Sequence, residues 1–234
     1  MENRFIRQSG LVDSSIFSTP ICIIGAGGIG SFTTLALAKI GFTDIHVWDY
    51  DFVEEHNLPN QFYPVNALGR PKVEALSDMI RDFTGVDITM HGEWTKKEPL
   101  SSVVVSAVDS MVVRREIFDT IKDNPEVLYF VDGRMGGNQL EVYTCNISSM
   151  ADKRRYNKTL CTDEETADVP CTQRAVMYNV LSIASWITNQ VRLVLSGLEY
   201  KREMILDMHN MILLLPEERK PKRRKKIPYI EVND

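Results

Sequence analysis

No Cys-x-x-Cys pair occurs in this chain. Its cysteines, Cys22, Cys145, Cys161 and Cys171, are scattered singly, which argues against a structural zinc site. A chain of 234 residues is long enough to bury a core of its own, so it needs no disulfides. The N-terminus shows no basic segment followed by an apolar stretch, so no secretory signal and a cytoplasmic location are expected. No apolar run of membrane length is uninterrupted. The longest, Ala175 to Leu195, contains Asn179, Asn189, Gln190 and Arg192 and is expected as a buried helix. His46, His56, His91 and His209 have no ligand spacing, and there are no internal repeats. What remains is the composition of an ordinary globular protein, 44% apolar and 25% charged.

The formal charge of −5 is unevenly spread. Arg219 to Lys226 holds seven basic residues, leaving 20 basic against 28 acidic side chains in residues 1–215. This divides the chain into a domain, 1–215, and a basic C-terminal tail, 216–234. The tail is read either as a solvated chain end or as a strip that touches an acidic surface; nucleic acid is not an expected partner.

Apolar runs and breakers alternate in a βα pattern along the domain. Residues 2–9 read as a short helical lead-in. Strands are expected at Ile21–Ile24, Asp44–Trp48, Val86–Met90, Val103–Val108, Val127–Val131 and Leu140–Cys145, the last two separated by a glycine-rich loop at 132–137. Helices are expected at Gly27–Ile40, at Pro71–Phe83, from Ser110 to about Lys122, and over the buried stretch ending at Leu195. Residues 147–170 read as irregular, with a strand pair following at Met204–Met208 and Met211–Leu215. Trp48, Trp94, Trp186, Cys22, Cys145 and the three methionines 204, 208 and 211 read as packing. The architecture is a Rossmann-like, doubly wound, mostly parallel sheet with helices on both faces, and its ligand crevice lies beyond the carboxyl ends of the strands.

Gly25-Ala26-Gly27-Gly28-Ile29-Gly30 follows the first strand and opens the first long helix. Glycines there permit a tight turn, backbone approach to phosphate and close helix–strand packing, beside a helix end rich in free N–H groups. Asp49 closes the second strand, where an acid grips ribose hydroxyls. This much suits NAD as well as ATP. Asp51 completes the acidic pair as a further ATP-binding candidate; Asn57, Gln61, Arg70 and Lys72 follow, and cations and amide donors are what a departing pyrophosphate requires. Asp109, at the end of the strand 102–108, is the magnesium-ligand candidate. Read alone, it could instead cap the next helix, and Arg70 and Lys72 could be a solvated helix start.

These pieces, in order, resemble the adenylation domain of the ThiF/MoeB/HesA and ubiquitin-activating enzyme superfamily. Arg4-Phe5-Ile6-Arg7-Gln8 resembles the family's Arg-Tyr-x-Arg-Gln motif. Gly25–Gly30, Asp49-Tyr50-Asp51, Asn57-Leu58-Pro59-Asn60-Gln61, Gly69-Arg70-Pro71-Lys72 and Val108-Asp109-Ser110 match the succeeding blocks. The resemblance implies an ATP-dependent adenylyltransferase that activates the C-terminal glycine carboxylate of a ubiquitin-like or sulfur-carrier protein ending in Gly-Gly, releasing pyrophosphate. It implies ATP and Mg2+ as cofactors, with no zinc. Asp49 would hold the ribose, Asn57, Gln61 and Lys72 the phosphates, and Asp109 the metal. Arg7 would reach the neighbouring subunit's site in a homodimer.

Thioester or sulfur transfer could follow. Cys171, just before the buried helix, is the catalytic-cysteine candidate, because a helix N-terminus lowers a thiol's pKa; a structural role is the alternative. Cys161, among acidic residues, is the weaker candidate. No separate catalytic-cysteine or ubiquitin-fold domain is expected to follow. The chain departs from the family at Asn60, where an arginine is usual, and Arg70 or Arg134 is expected to supply the missing cation. The same departure fits a catalytically weak nucleotide-binding scaffold of this fold. An NAD(P)-dependent oxidoreductase shares the glycine loop but leaves Arg7, Lys72 and Asp109 unexplained.

Overall fold

A computed structural model of the protein describes residues 4–160 and 175–216. Its strands are β1 (Ile21–Ile24), β2 (Ile45–Trp48), β3 (Thr89–His91), β4 (Ser102–Ser106), β5 (Val127–Gly136), β6 (Gln139–Asn146), β7 (Glu203–Asp207) and β8 (Ile212–Leu214). They form one sheet in the order β3-β2-β1-β4-β5-β6-β7-β8. From β3 to β5 all neighbours are parallel. From β5 to β8 all are antiparallel. The helices are α1 (Gly28–Ile40), α2 (Lys72–Thr84), α3 (Met111–Ile121), α4 (Met150–Asn157) and α5 (Met177–Leu195).

Alternate residues of a strand face opposite sides, and the two cores divide along that line. Ile21, Ile23, Val103 and Val105 pack with Leu37 of α1, Leu76 and Ile80 of α2, and Ile183 and Ile187 of α5. Cys22, Ile24, Trp48 and Val104 pack with Ile117 and Phe118 of α3 and Tyr156 of α4. Burial on both faces explains why β1 and β4 carry unbroken apolar runs. The strand order reverses between β1 and β4, so the ends of these two strands open the crevice.

Five expectations need correction. The stretch 132–137 is no loop: β5 runs through Gly136 and pairs with β6 down to Gly136–Gln139. Gly133 is a glycine because α5 presses on the strand there; a Cβ would lie 2.6 Å from Ile187 Cδ1. Residues 147–160 include α4, capped by Ser149, whose hydroxyl accepts from the Asp152 amide. Its buried residues are Asp152 and Tyr156, so no apolar stripe announces it. Residues 4–11 form turns rather than a helix. The third strand is short and begins only at Thr89, because the Val86 amide bonds Thr84 Oγ1 instead of a strand neighbour. Met211 is 76% exposed at positive φ in the β7–β8 turn, not core.

Helix α5 is buried as expected, and its polar interruptions are used. Asn179 donates to Gly137 O, and Gln190 accepts from the Lys201 amide. Among the described residues no helix is long and apolar enough to cross a membrane. The basic tail beyond Pro216 lies outside the described residues.

Candidate functional site

Gly25 leaves β1 with φ +99°, a region that L side chains avoid. A Cβ on it would lie 2.7 Å from Ala107 O, and one on Gly30 1.8 Å from Gly25 O. The loop is thus folded tightly on itself and against the end of β4. On the other side, a Cβ at Gly28 would stand 3.0 Å from Asn60 O, and one at Gly27 would stand 3.9 Å from Gln61 Nε2. No side chain caps α1, so the dipole and amides of its first turn face the crevice unscreened.

The acidic wall is tied to this loop by hydrogen bonds. Asp49 Oδ2 accepts from the Ala26 amide at 2.6 Å, and Oδ1 from the Asp51 amide at 2.8 Å. Lys72, buried at the start of α2, places Nζ 2.8 Å from Asp51 Oδ2. An ammonium has three donors, so this ion pair leaves two for a ligand. Asn57 is buried and spends its Oδ1 on the Glu54 amide in a reciprocal capping box, which leaves its amide nitrogen as the remaining donor.

Gln61 Oε1 is buried without a hydrogen-bond partner. An orphaned carbonyl of this kind costs about 1–3 kcal/mol, and it sits against the glycine loop. Asp109 is exposed in the turn after β4. It does not cap α3; Ser110 does, its hydroxyl accepting from the Val113 amide.

Two contributors escaped the sequence reading. Tyr63 donates its hydroxyl to Ala26 O at 2.6 Å, and burial, with Asp49 and Asp51 adding to it, raises its pKa far above the usual phenol value. Ser31 Oγ accepts from the Phe62 amide. Together they pin the segment after Asn57 onto the glycine loop and α1. The only signal available was their nearness to motif residues.

Three expected participants stand elsewhere. Arg70 pairs with Asp78 of α2 at 2.7 Å, on a groove lined by Asn66, Ala67, Asp78 and Arg81 and by no glycine-loop residue. Arg134 is on β5, its guanidinium held by Asp132 Oδ2, Thr159 and the Tyr143 ring. Arg134 is thus held inside the sheet, whereas Arg70 is engaged only in an exposed pair. Arg7 is exposed in a turn anchored by Arg4 on Thr84 O and by Gln8 on Ile40 O. Those carbonyls end α2 and α1, a full helix length, about 20 Å, from the glycine loop. Cys161 and Cys171 lie outside the described residues.

The family model described as ThiF family matches residues 4–213. The chain belongs to the ThiF family. Among curated relatives of this ThiF-family chain, the NEDD8-activating enzyme E1 catalytic subunit of Schizosaccharomyces pombe is 30% identical over 67% of this chain and 39% of its own length. Ubiquitin-like modifier-activating enzyme 5 of Branchiostoma floridae is 33% identical over 33% of this chain and 20% of its own. The chain therefore spans well under half the length of these relatives. Among solved structures, E. coli MccB with ATP superposes with a TM-score of 0.72 at 12% identity, covering 91% of this chain and 70% of MccB. E. coli tRNA N6-threonylcarbamoyladenosine dehydratase gives 0.66 at 18%, covering 84% and 95%. At these identities the two structures establish the shared fold.

Proposed function

We propose that this ThiF-family chain binds MgATP and adenylates the C-terminal carboxylate of a small ubiquitin-like or sulfur-carrier protein. The observation that carries the reading is the bonded series Ala26–Asp49–Asp51–Lys72, which joins a glycine loop, a ribose-placed acid and a buried ammonium in one crevice. A carboxylate oxygen of the carrier forms a bond to the α-phosphorus. The bond from that phosphorus to the bridging oxygen breaks, and pyrophosphate departs with the electron pair. Asp49 accepts from the ribose hydroxyls, α1 amides and Lys72 meet the phosphate charge, and Gln61 fills the gap beside Gly27.

Magnesium neutralises charge on the phosphates when bound. It takes one or two carboxylates plus phosphate oxygens and keeps several waters, so Asp109 by itself suits it. No cluster of three or more potential ligands exists among the described residues. Arg7 is out of reach of its own loop, which favours a homodimer in which it serves the partner's site. Transfer to Cys171 or to sulfur would follow adenylation, in the cytoplasm.

A second reading has one observation behind it. With Asn60 in place of the family's arginine and Arg70 and Arg134 both engaged, the crevice is short of positive charge, as a weak nucleotide-binding scaffold would be. Exchange of labelled pyrophosphate into ATP, with a panel of Gly-Gly carrier proteins, separates the two. Carrier-dependent exchange that Asp109→Ala removes supports adenylation; ATP binding without exchange for any carrier supports the scaffold.

A further inference from the structure

We propose that Arg114, oriented by the buried Asp132, is a positioning residue that fixes Asp109; its part in catalysis rests on the adenylation reading. Arg114 is on the first turn of α3, four residues after the Ser110 cap, and its side chain folds back under the turn that carries Asp109. Its Nε donates to Asp132 Oδ1 at 2.7 Å. One terminal nitrogen donates to Val108 O at 2.5 Å and reaches Gly133 O at 3.4 Å. Val108 is the residue immediately before Asp109. With the Ala107 amide on Ile24 O and Ser110 capping α3, the turn is held before, at and after that point.

Asp132 is fully buried and accepts from Arg134 Nε at 2.7 Å and from the Tyr156 hydroxyl at 2.9 Å on its other oxygen. The carboxylate therefore cannot turn, and neither can the guanidinium it holds. A planar fork can serve a carboxylate and a carbonyl together, whereas a lysine ammonium is a point charge on a flexible stem. A buried guanidinium must place its remaining donors on some acceptor, and here one falls on Val108 O, the carbonyl directly before Asp109. That bond makes Arg114 a device for placing a ligand carboxylate, and explains how an exposed Asp109 can be held in one position.

The test uses the full chain and Arg114→Lys, with Arg81→Lys, an exposed arginine paired with Asp87 and remote from Asp132, as the control. Without nucleotide, amide hydrogen exchange at Ala107 and Val113, the bonded amides on either side of Asp109, should quicken about tenfold in Arg114→Lys, with β1 and α1 unchanged and the control like wild type. With ATP, calorimetric titration should show the half-saturating Mg2+ concentration raised by about tenfold. That effect should vanish in an Asp109→Asn background, because Arg114 acts through Asp109. Unchanged exchange at Ala107 and Val113 overturns the proposal, as does an effect that adds fully to Asp109→Asn. If the wild type fails to bind MgATP, the adenylation reading fails and the exchange result alone decides the clamp. Should Arg114→Lys not fold, Arg114→Met with Asp132→Asn takes its place, keeping an amide oxygen for Arg134 and Tyr156, with the same expectations.

Discussion

Asp109 and Asp132 sit at the same end of neighbouring parallel strands, and the same carboxylate has opposite circumstances in the two. Asp109 follows β4 and is exposed, with no protein partner for its side chain among the described residues. Asp132 lies on β5, where the sheet turns antiparallel, and is saturated by two arginines and a tyrosine. The contrast extends across the sheet. In the parallel half the polar groups Asp49, Lys72, Gln61 and Asp109 retain spare hydrogen-bonding capacity facing a crevice. In the antiparallel half the charges neutralise one another inside the fold, as Asp152 does with Arg202 and Tyr200. A charged residue near a strand end thus becomes available to a ligand only where the sheet splits and leaves a crevice. Where a hairpin continues the sheet, the same residue type becomes part of the core.

The contrast breaks most severely at the glycine loop, on which the whole open half depends. Gly30→Ala must place a Cβ 1.8 Å from Gly25 O. It should cost about 4 kcal/mol or more and abolish nucleotide binding, as urea unfolding and calorimetry would show. A normally stable, ATP-binding Gly30→Ala protein would refute the loop geometry.

Asp132→Ala attacks the saturated half. Leaving Arg114 and Arg134 buried without their carboxylate should cost about 3–5 kcal/mol, read from urea midpoints. Burial by itself would raise the Asp132 pKa, but Arg114 and Arg134 outweigh it and hold it below the usual carboxylate value. Because the folded pKa is the lower one, this stabilisation is complete above the unfolded-chain value of about 3.9. It is lost as pH falls through the folded value. Asp132→Asn should therefore show a shallower fall in Tm than wild type below about pH 4.

Asp109→Asn should do the reverse of Asp132→Ala. Stability should move by less than about 0.5 kcal/mol, while pyrophosphate exchange drops by about a hundredfold. A large loss of stability would show that Asp109 too is structural. The buried thiols, Cys22 in the parallel half and Cys145 in the antiparallel half, offer a gentler check. Burial pushes Cys22 up to about 11 and Cys145 up to about 12, so neither should react with iodoacetamide at pH 8 in the folded protein. The smallest effect belongs to Arg70→Ala. Its ion pair with Asp78 is exposed on both sides, worth about 0.2–1 kcal/mol, and ATP affinity should not change.

The motif residues of the open half were legible because local rules place them. A glycine loop between a strand and a helix, or an acid ending a strand, meets its ligand through positions a few residues apart. The hub around Asp132 was not legible, because it draws on residues 114, 132, 134, 156 and 159, whose meeting depends on α3, β5 and α4 packing together. Arg134 and Arg70 illustrate the cost. Arg70 looked like a spare cation because it stands in a motif block, and Arg134 because it stands in a glycine-rich stretch read as a loop, but Asp78 and Asp132 engage them.

By itself the sequence determined the doubly wound class and the glycine loop at Gly25–Gly30, which rest on periodicity, spacing and backbone conformation, and it carried the family through the resemblance of its motif blocks. Tertiary structure decided which charges face the crevice and which are spent inside the sheet. That choice turns on burial, and burial is set by what the rest of the chain brings against each strand end.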